Sequence, residues 1–254
     1  EGSIGGADLL IRPLFKTAEL LESMPGMIAV QHSGSGKANQ FFLRGFNLDH
    51  GTDYTVFVDG MPMNLRSHGH GQGYLDVNGL IPETVERIDY RKGPYRADLG
   101  DFSMAGASFI HTIDSLDNNF LSMESGQYGW RRVAGGASQN LQNGSLTLVG
   151  EYKQNDGPWE KAEDLNHVSL WGKYLRNTDF GQFMLTVSGY EAEELEAWLE
   201  PLELTPFARN RLLNQGEITK VVPVTGGILL DLRVLPAAGA TGPSQVALLR
   251  LENL

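Results

Sequence analysis

The sequence contains no cysteine, and that one absence excludes thiol catalysis, cysteine zinc sites and disulfides together. It suits either the cytosol or an envelope protein that does without bridges, so the compartment stays open on this point. Long apolar runs are missing too. No stretch reaches the roughly 18–20 residues that a spanning helix requires. Glu1 opens no charged-then-apolar leader, so the expectation for a secreted protein is a leader already removed. Basic charge is scarce: 20 Lys and Arg stand against 31 Asp and Glu, a formal charge of −11. Residues 1–118 carry 9 basic and 15 acidic side chains, and residues 119–254 carry 11 and 16, so neither half is a basic arm. Phosphate neutralisation needs clustered Lys and Arg, which makes nucleic acid an unexpected partner.

What is present is glycine, 31 of 254 residues, and apolar side chains at 41%, enough for a core. Many glycines fall in strand-like or turn contexts, which points to β structure with closely packed backbones. Pro13 precedes apolar positions Leu14, Ala18, Leu21 and Met24, and Pro25-Gly26 closes the run, so a short amphipathic helix is predicted from about 15 to 24. "MIAVQHS" reads as a β run and "GSGKAN" as a turn. "QFFLRGF" and "YTVFVDGMPMN" read as strands, the second turning tightly at Asp59-Gly60. "LRSHGHGQGYLDVNG" is too glycine-rich for a regular element and long enough to be a functional loop. A helical turn from Pro82 to Glu86, a strand from Arg87 to Arg91 and the short strand "SFIHTI" complete an α+β region.

The texture changes after Ser115. "LSMESGQYG", "RRVAGGASQN", "SLTLVGEYKQ", "NHVSLWGKYLRN" and "GQFMLTVSGY" are segments of about ten residues separated by turns or polar loops. In the last, Phe183, Leu185 and Val187 share one face, and Gln182, Thr186 and Ser188 the other. Such alternation is what antiparallel transmembrane strands show, apolar to lipid and polar to the lumen. Tyr152, Trp159, Trp171, Tyr174 and Tyr190 lie near segment ends or neighbouring loops, as interfacial aromatic girdles would. A soluble β-meander with one wet face has the same period. From Glu191 the pattern stops: an acidic, helix-leaning stretch with Pro201 and Pro206 leads to a short apolar run, an Ala/Gly/Pro linker and a last strand-like piece.

Three stretches, "AELLESMPGMIAVQH", "FFLRGFNLDHGTDYTVFVDGMPM" and "IPETVERIDYRKGPYRADLG", together resemble the plug domain of a TonB-dependent outer-membrane receptor. The matching motifs are Pro25-Gly26, Arg44-Gly45-Phe46, Val58-Asp59-Gly60-Met61-Pro62, and Val85-Glu86-Arg87-Ile88-Asp89 leading to Lys92-Gly93-Pro94, in the family's order and spacing. The resemblance covers about residues 5–113 in motif and 115–190 in texture, and none is seen beyond Glu191. It implies an α+β plug at 1–118, the first antiparallel strands of an incomplete outer-membrane β-barrel at 119–190, and an irregular tail at 191–254. It further implies the cell outer membrane as location, active uptake of a scarce substrate such as a siderophore or metal complex, and the TonB-ExbB-ExbD complex as energy-coupling partner. Neither catalytic residues nor a cofactor are called for. A plug in a polar lumen offers charged side chains to barrel carboxylates, and Arg forks suit such contacts. Arg44, Arg87 and Lys92 are the candidates. The family's TonB box is not visible before "EGSIGG". A plugged barrel has roughly 22 strands of about ten residues, whereas 136 residues follow Asn118. The expectation is therefore a fragment, a truncated or frame-shifted product, or a plug-like module with a new partner.

His68, His70, Gln72 and Tyr74 sit in the loop where the family's plug apices meet substrate, and they are the substrate-contact candidates. His68 and His70 are also a metal candidate, with His32, His50 or Asp49 able to complete a site. A hydrogen-bonded or solvated pair is the plainer reading of two histidines at this spacing. This loop supports the alternative of a soluble periplasmic plug-like binding module that holds metal. "GSGK" at 34–37 fails as a phosphate loop, because Gln31 and Ala38 stand where Gly and Ser or Thr are needed. "GHGQGY" lacks the dinucleotide spacing. No nucleophile elbow appears, so Ser-His-Asp hydrolysis is not expected.

Overall fold

The computed structural model describes the chain except residues 32–34, 69–70, 159–161, 180, 195–221, 237–244 and 252–254, and gives backbone alone for 193–194, 222–236 and 245–251. The first half is α+β. β1 (Gly2–Gly5), α1 (Gly6–Leu10) and a 3-10 helix (Thr17–Ser23) lead into β2 (Met27–Val30), β3 (Gln40–Leu43) and β4 (Phe46–Asn47). β5 (Tyr54–Val58), β6 (Met61–Pro62), a 3-10 turn at Pro82–Thr84, β7 (Val85–Lys92), another at Ala97–Leu99 and β8 (Gly106–Thr112) follow. The strands form two sheets, ordered β1-β7-β8-β5-β6 and β2-β3-β4. β5 and β8 run parallel, with Tyr54 opposite Gly106 and Val58 opposite Ile110.

Local chemistry explains where the strands turn. Asp59 and Gly60 have φ of 49° and 82°, the two left-handed residues of a type I′ hairpin, which suit Asp-Gly. Arg44 and Gly45 have φ of 53° and 80°, so the Arg-Gly pair expected inside a strand makes a second turn of the same kind, between β3 and β4. The predicted amphipathic helix is a shorter 3-10 helix. Its buried Ala18, Leu20 and Leu21 join Met24, Phe41, Leu48, Tyr54, Val56, Leu75, Ile88 and Ile110 in the main core. Tyr54 is fully buried, and its hydroxyl is 2.6 Å from Ser108 Oγ, which satisfies a polar group that burial would otherwise penalise.

The second half is one antiparallel meander. β9 (Phe120–Ser125), β10 (Arg131–Leu141), β11 (Gly144–Asn155), β12 (Leu165–Thr178) and β13 (Gly181–Glu194) pair in sequence order. Where an irregular tail was expected, the backbone carries two further strands, β14 (Val222–Pro236) and β15 (Gln245–Leu251), that extend the same sheet. The remainder of that tail lies outside the described residues. Among β9–β13, connections 142–143 and 179–180 at one end are short, while 126–130 and 156–164 at the other are longer, the asymmetry of outer-membrane strands.

The faces of this sheet are inverted relative to a soluble protein. On β11, Ser145, Thr147 and Glu151 are buried, while Leu146, Leu148 and Tyr152 are exposed. β12 repeats the pattern, with His167, Ser169 and Lys173 buried and Val168 and Leu170 exposed. Cross-strand register puts Leu148 opposite Gly172, Leu170 opposite Gly150 and Gly189, and Tyr174 opposite Leu185, so the outer residues form one continuous face. Leu121, Met123, Val133 and Val187 extend it. A wet-faced soluble meander would bury its aliphatic residues and expose its hydroxyls. The observed face is an apolar band of the kind that meets lipid. Two aromatics placed at membrane girdles by the sequence pattern instead turn inward: Trp171 is buried with Ile81 and Val149, and Tyr190 donates its hydroxyl to Asp76.

Candidate functional site

The polar inner face of the meander meets carboxylates of the α+β region through Arg132 and Lys173. Arg132 on β10 has its side chain 7% exposed. Its Nη1 and Nη2 donate to Glu83 Oε1 and Oε2 at 2.8 and 2.6 Å. Its Nε donates to Glu151 at 2.6 Å, and Nη1 also reaches Glu124 at 2.8 Å. One guanidinium thus ties three strands of the wall to the 3-10 turn at Pro82–Thr84, and the bidentate fork fixes orientation as well as distance. Lys173 on β12, 1% exposed, is 3.4 Å from Asp59 Oδ2 and donates to the Thr112 carbonyl at 3.1 Å. Asp59 also accepts from Thr112 N at 2.8 Å. The same aspartate that makes the hairpin turn is therefore the turn's link to the wall.

Plug-to-wall contacts of this polarity were not the expected ones. The sequence pattern nominated the cations Arg44, Arg87 and Lys92 of the α+β region, whereas the wall strands present cations to its carboxylates. Arg87 pairs locally with Glu86 at 3.2 Å and Asp89 at 3.3 Å. Lys92 donates to the Pro25 carbonyl at 2.5 Å and lies 5.3 Å over the Tyr90 ring. Its ammonium is held below the ordinary lysine range by partial desolvation and then by the charge of Arg44. Arg44 is exposed, beside Gly26, and among the described residues neither it nor Lys92 meets a carboxylate. The structure thus brings Arg44 and Lys92 together at the Pro25-Gly26 turn and leaves Arg87 apart. Glu83 and Asp59 carry no sequence signal for this role beyond being carboxylates in the motifs themselves. The partners, Arg132 and Lys173, are polar residues in otherwise apolar-alternating strands, which is the signal that could have found them.

Loop 65–79 is pinned at its base. Leu65 and Tyr74 form an isolated antiparallel bridge. The Asn64 carboxamide, which sequence pattern does not single out, donates to the carbonyls of Gly51, Tyr54 and Gly73 and accepts from Val56 N. His68 stacks on Tyr74, ring centroids 4.0 Å apart and 16° between planes. Burial, followed by the nearby Asp76 carboxylate, pushes the Tyr74 phenol up to about 12. Gln72 is exposed, its carbonyl accepting from Thr52 Oγ1 at 2.9 Å. His70 and His32 lie outside the described residues. His50 is buried with Nδ1 3.1 Å from the Asn39 carbonyl, and Asp49 Oδ1 is 3.9 Å from its Nε2. Among the described residues no group of three His, Asp or Glu side chains is placed to hold a metal ion.

A small α+β unit seated by buried ion pairs on the polar face of an apolar-outside antiparallel sheet defines a plug against the wall of an outer-membrane barrel. Residues 3–107 match the family described as TonB-dependent Receptor Plug Domain. Solved structures of similar fold include the siderophore receptor PirA from Acinetobacter baumannii, at 18% identity over 92% of this chain and 37% of that one, TM-score 0.63. The ferric enterobactin receptor PfeA from Pseudomonas aeruginosa, in complex with enterobactin, is 15% identical over 92% of this chain and 38% of that one, TM-score 0.61. The copper transporter OprC is 14% identical over 94% and 34%, TM-score 0.66. The chain therefore spans 34–38% of the length of these three structures. Receptors with this domain are transporters rather than enzymes, and their place is the outer membrane of Gram-negative bacteria.

Proposed function

We propose that this chain is the gate and the first wall strands of a receptor that takes up a siderophore or another metal complex, energised by TonB-ExbB-ExbD. The observation that carries the reading is the combination of an apolar outer face with Arg132 and Lys173 seating the plug on the inner one. The siderophore receptor PirA and the copper transporter OprC, which share this fold, support a siderophore or metal cargo. His68, Gln72 and Tyr74, with His70, are the substrate contacts in this reading, because they belong to loop 65–79, whose base is closed by the bridge between Leu65 and Tyr74. Arg44 and Lys92 are contacts to wall strands other than β9–β13. Residues 1–118, 119–190 and 191–254 are its plug, first wall strands and tail.

Phase partition in Triton X-114 tests the architecture. A receptor segment enters the detergent phase, while a soluble periplasmic module stays as an aqueous monomer. Uptake of radiolabelled ferric enterobactin and of copper by cells expressing the protein, with and without TonB, tests the cargo. Accumulation that persists without TonB would remove the energy-coupled reading.

A further inference from the structure

The outer face of the meander changes character at the end with the short connections. Among the described residues its ionised side chains are Arg131 and Glu191, towards the longer connections, and Arg176 at the opposite border. Arg176 is exposed, and register sets it opposite Gly144 on β11 and Phe183 on β13. The next row of the same face is apolar and aromatic, with Tyr174 opposite Leu146 and Leu185. A single cation thus marks the line where the apolar band ends.

The polar groups around Arg176 are already used on one another. Thr178 Oγ1 donates to the Gly181 carbonyl at 2.8 Å, Gln182 Nε2 to Asn177 Oδ1 at 3.2 Å, and Asn177 N to the Asn143 carbonyl at 2.6 Å. Arg176 carries five N–H donors. Among the described residues it makes neither an ion pair nor a side-chain hydrogen bond, although Asp179 stands in the adjoining turn. Gly144 presents no side chain to cover the guanidinium from β11. On the other side Tyr174 and Phe183 meet edge to face, centroids 6.2 Å apart and 64° between planes, a ring pair held at the same border.

An arginine at the edge of a lipid-facing surface can lay its stem on the apolar band and its head in the headgroup layer. There a lipid phosphate offers the paired oxygens that suit a guanidinium fork. Short connections mark the periplasmic side of outer-membrane strands, so the lipid at this border belongs to the periplasmic leaflet. We propose that Arg176, with the rings of Tyr174 and Phe183, binds an anionic phospholipid of that leaflet, the phosphate on the guanidinium and an acyl chain over Leu146 and Leu185. The site rests on the reading of β9–β13 as wall strands and is independent of the cargo and of TonB.

The test takes the full chain in dodecyl maltoside, adds phosphatidylglycerol or zwitterionic phosphatidylcholine with the same acyl chains, and measures retained lipid by native mass spectrometry. Phosphatidylglycerol is expected to be retained about fivefold or more over phosphatidylcholine, whose own ammonium competes for the phosphate. Arg176→Gln is expected to bring phosphatidylglycerol down to the phosphatidylcholine level, and Arg176→Lys, which keeps the charge without the fork, to fall between. Arg131→Gln, on the same face at the far border, is expected to change nothing. Equal retention of the two lipids by the parent chain, or undiminished retention by Arg176→Gln, would each overturn the proposal. A chain that enters the Triton X-114 phase and gives either result loses this site alone, whereas one that stays aqueous loses the wall reading beneath it.

Discussion

Arg132 of the wall and Glu83 of the plug are joined by two parallel hydrogen bonds of 2.8 and 2.6 Å, although 49 residues separate them in sequence. The pair is enclosed, with side-chain exposures of 7% and 16%, and Glu151 beside it is fully buried. Charges at such a site are stable only together, because each has given up its hydration and relies on the other for replacement. Among the described residues the seam's apolar cluster is small, with Ile81, Val149 and Trp171 buried and Ile113, Leu116 and Phe120 packed against them, so buried ion pairs set much of the plug's position.

Arg132→Leu removes the cation shared by Glu83, Glu124 and Glu151 and leaves buried Glu151 with Lys153 alone. The expected loss is about 3–5 kcal/mol, read as a lowered denaturant midpoint. Glu83→Gln keeps a hydrogen-bond acceptor and should cost less. Equal stability of Arg132→Leu and the parent chain would show that the cluster does not seat the plug.

Leu148 is 58% exposed on the outer face. In water a substitution there would stay within about 0.5 kcal/mol. In a bilayer, Leu148→Arg is expected to cost about 2–4 kcal/mol near the midplane. Folding efficiency into lipid vesicles, compared with Thr147→Ala on the opposite face, distinguishes the two environments.

Asp89 holds β1 to the edge of the plug sheet. Burial pushes its carboxyl up, but the Ser3 hydroxyl, the Arg87 guanidinium and His111 outweigh this and leave it below the ordinary range. His111 Nε2 lies 3.0 Å away. A depressed carboxylate contributes stability above its unfolded value of about 3.9, and loses it as pH falls through the lower folded value. Amide exchange at Ile4, paired with Ile88, should therefore accelerate on acidification below about pH 4. Asp89→Asn should show the faster exchange already at neutral pH and a weaker pH dependence.

Tyr74 should ionise near pH 12, well above the ordinary value of 10.0, in an ultraviolet titration of the chain. With the folded value raised, its contribution is intact below about 10 and is lost as pH climbs through about 12. Tyr74→Phe keeps the stack on His68 and should leave loop 65–79 ordered. Tyr74→Ala should release it, seen as faster exchange at Leu65, whose N–H donates to the Tyr74 carbonyl at 2.8 Å.

Local chemistry by itself determined the turns and the periods. Asp59-Gly60 reads as a tight hairpin because few pairs tolerate two left-handed residues, and five ten-residue alternating segments appear as β9 to β13. The plug motifs, with their order and spacing, were equally plain in one dimension. Strand direction across Arg44-Gly45 was not, since an Arg with positive φ has no residue-type signature. Nor could alternation say which face was inside. Trp171 and Tyr190 have the composition of a membrane girdle, yet cross-strand register places them on the plug side with Ser169 and Lys173. Only the tertiary structure decided that Arg132 meets Glu83 and Lys173 meets Asp59, because a period of two fixes which residues share a face but not what that face meets. The physical reason is that the described inner face of the meander packs on the other half of the chain, so its partners are set by the tertiary fold.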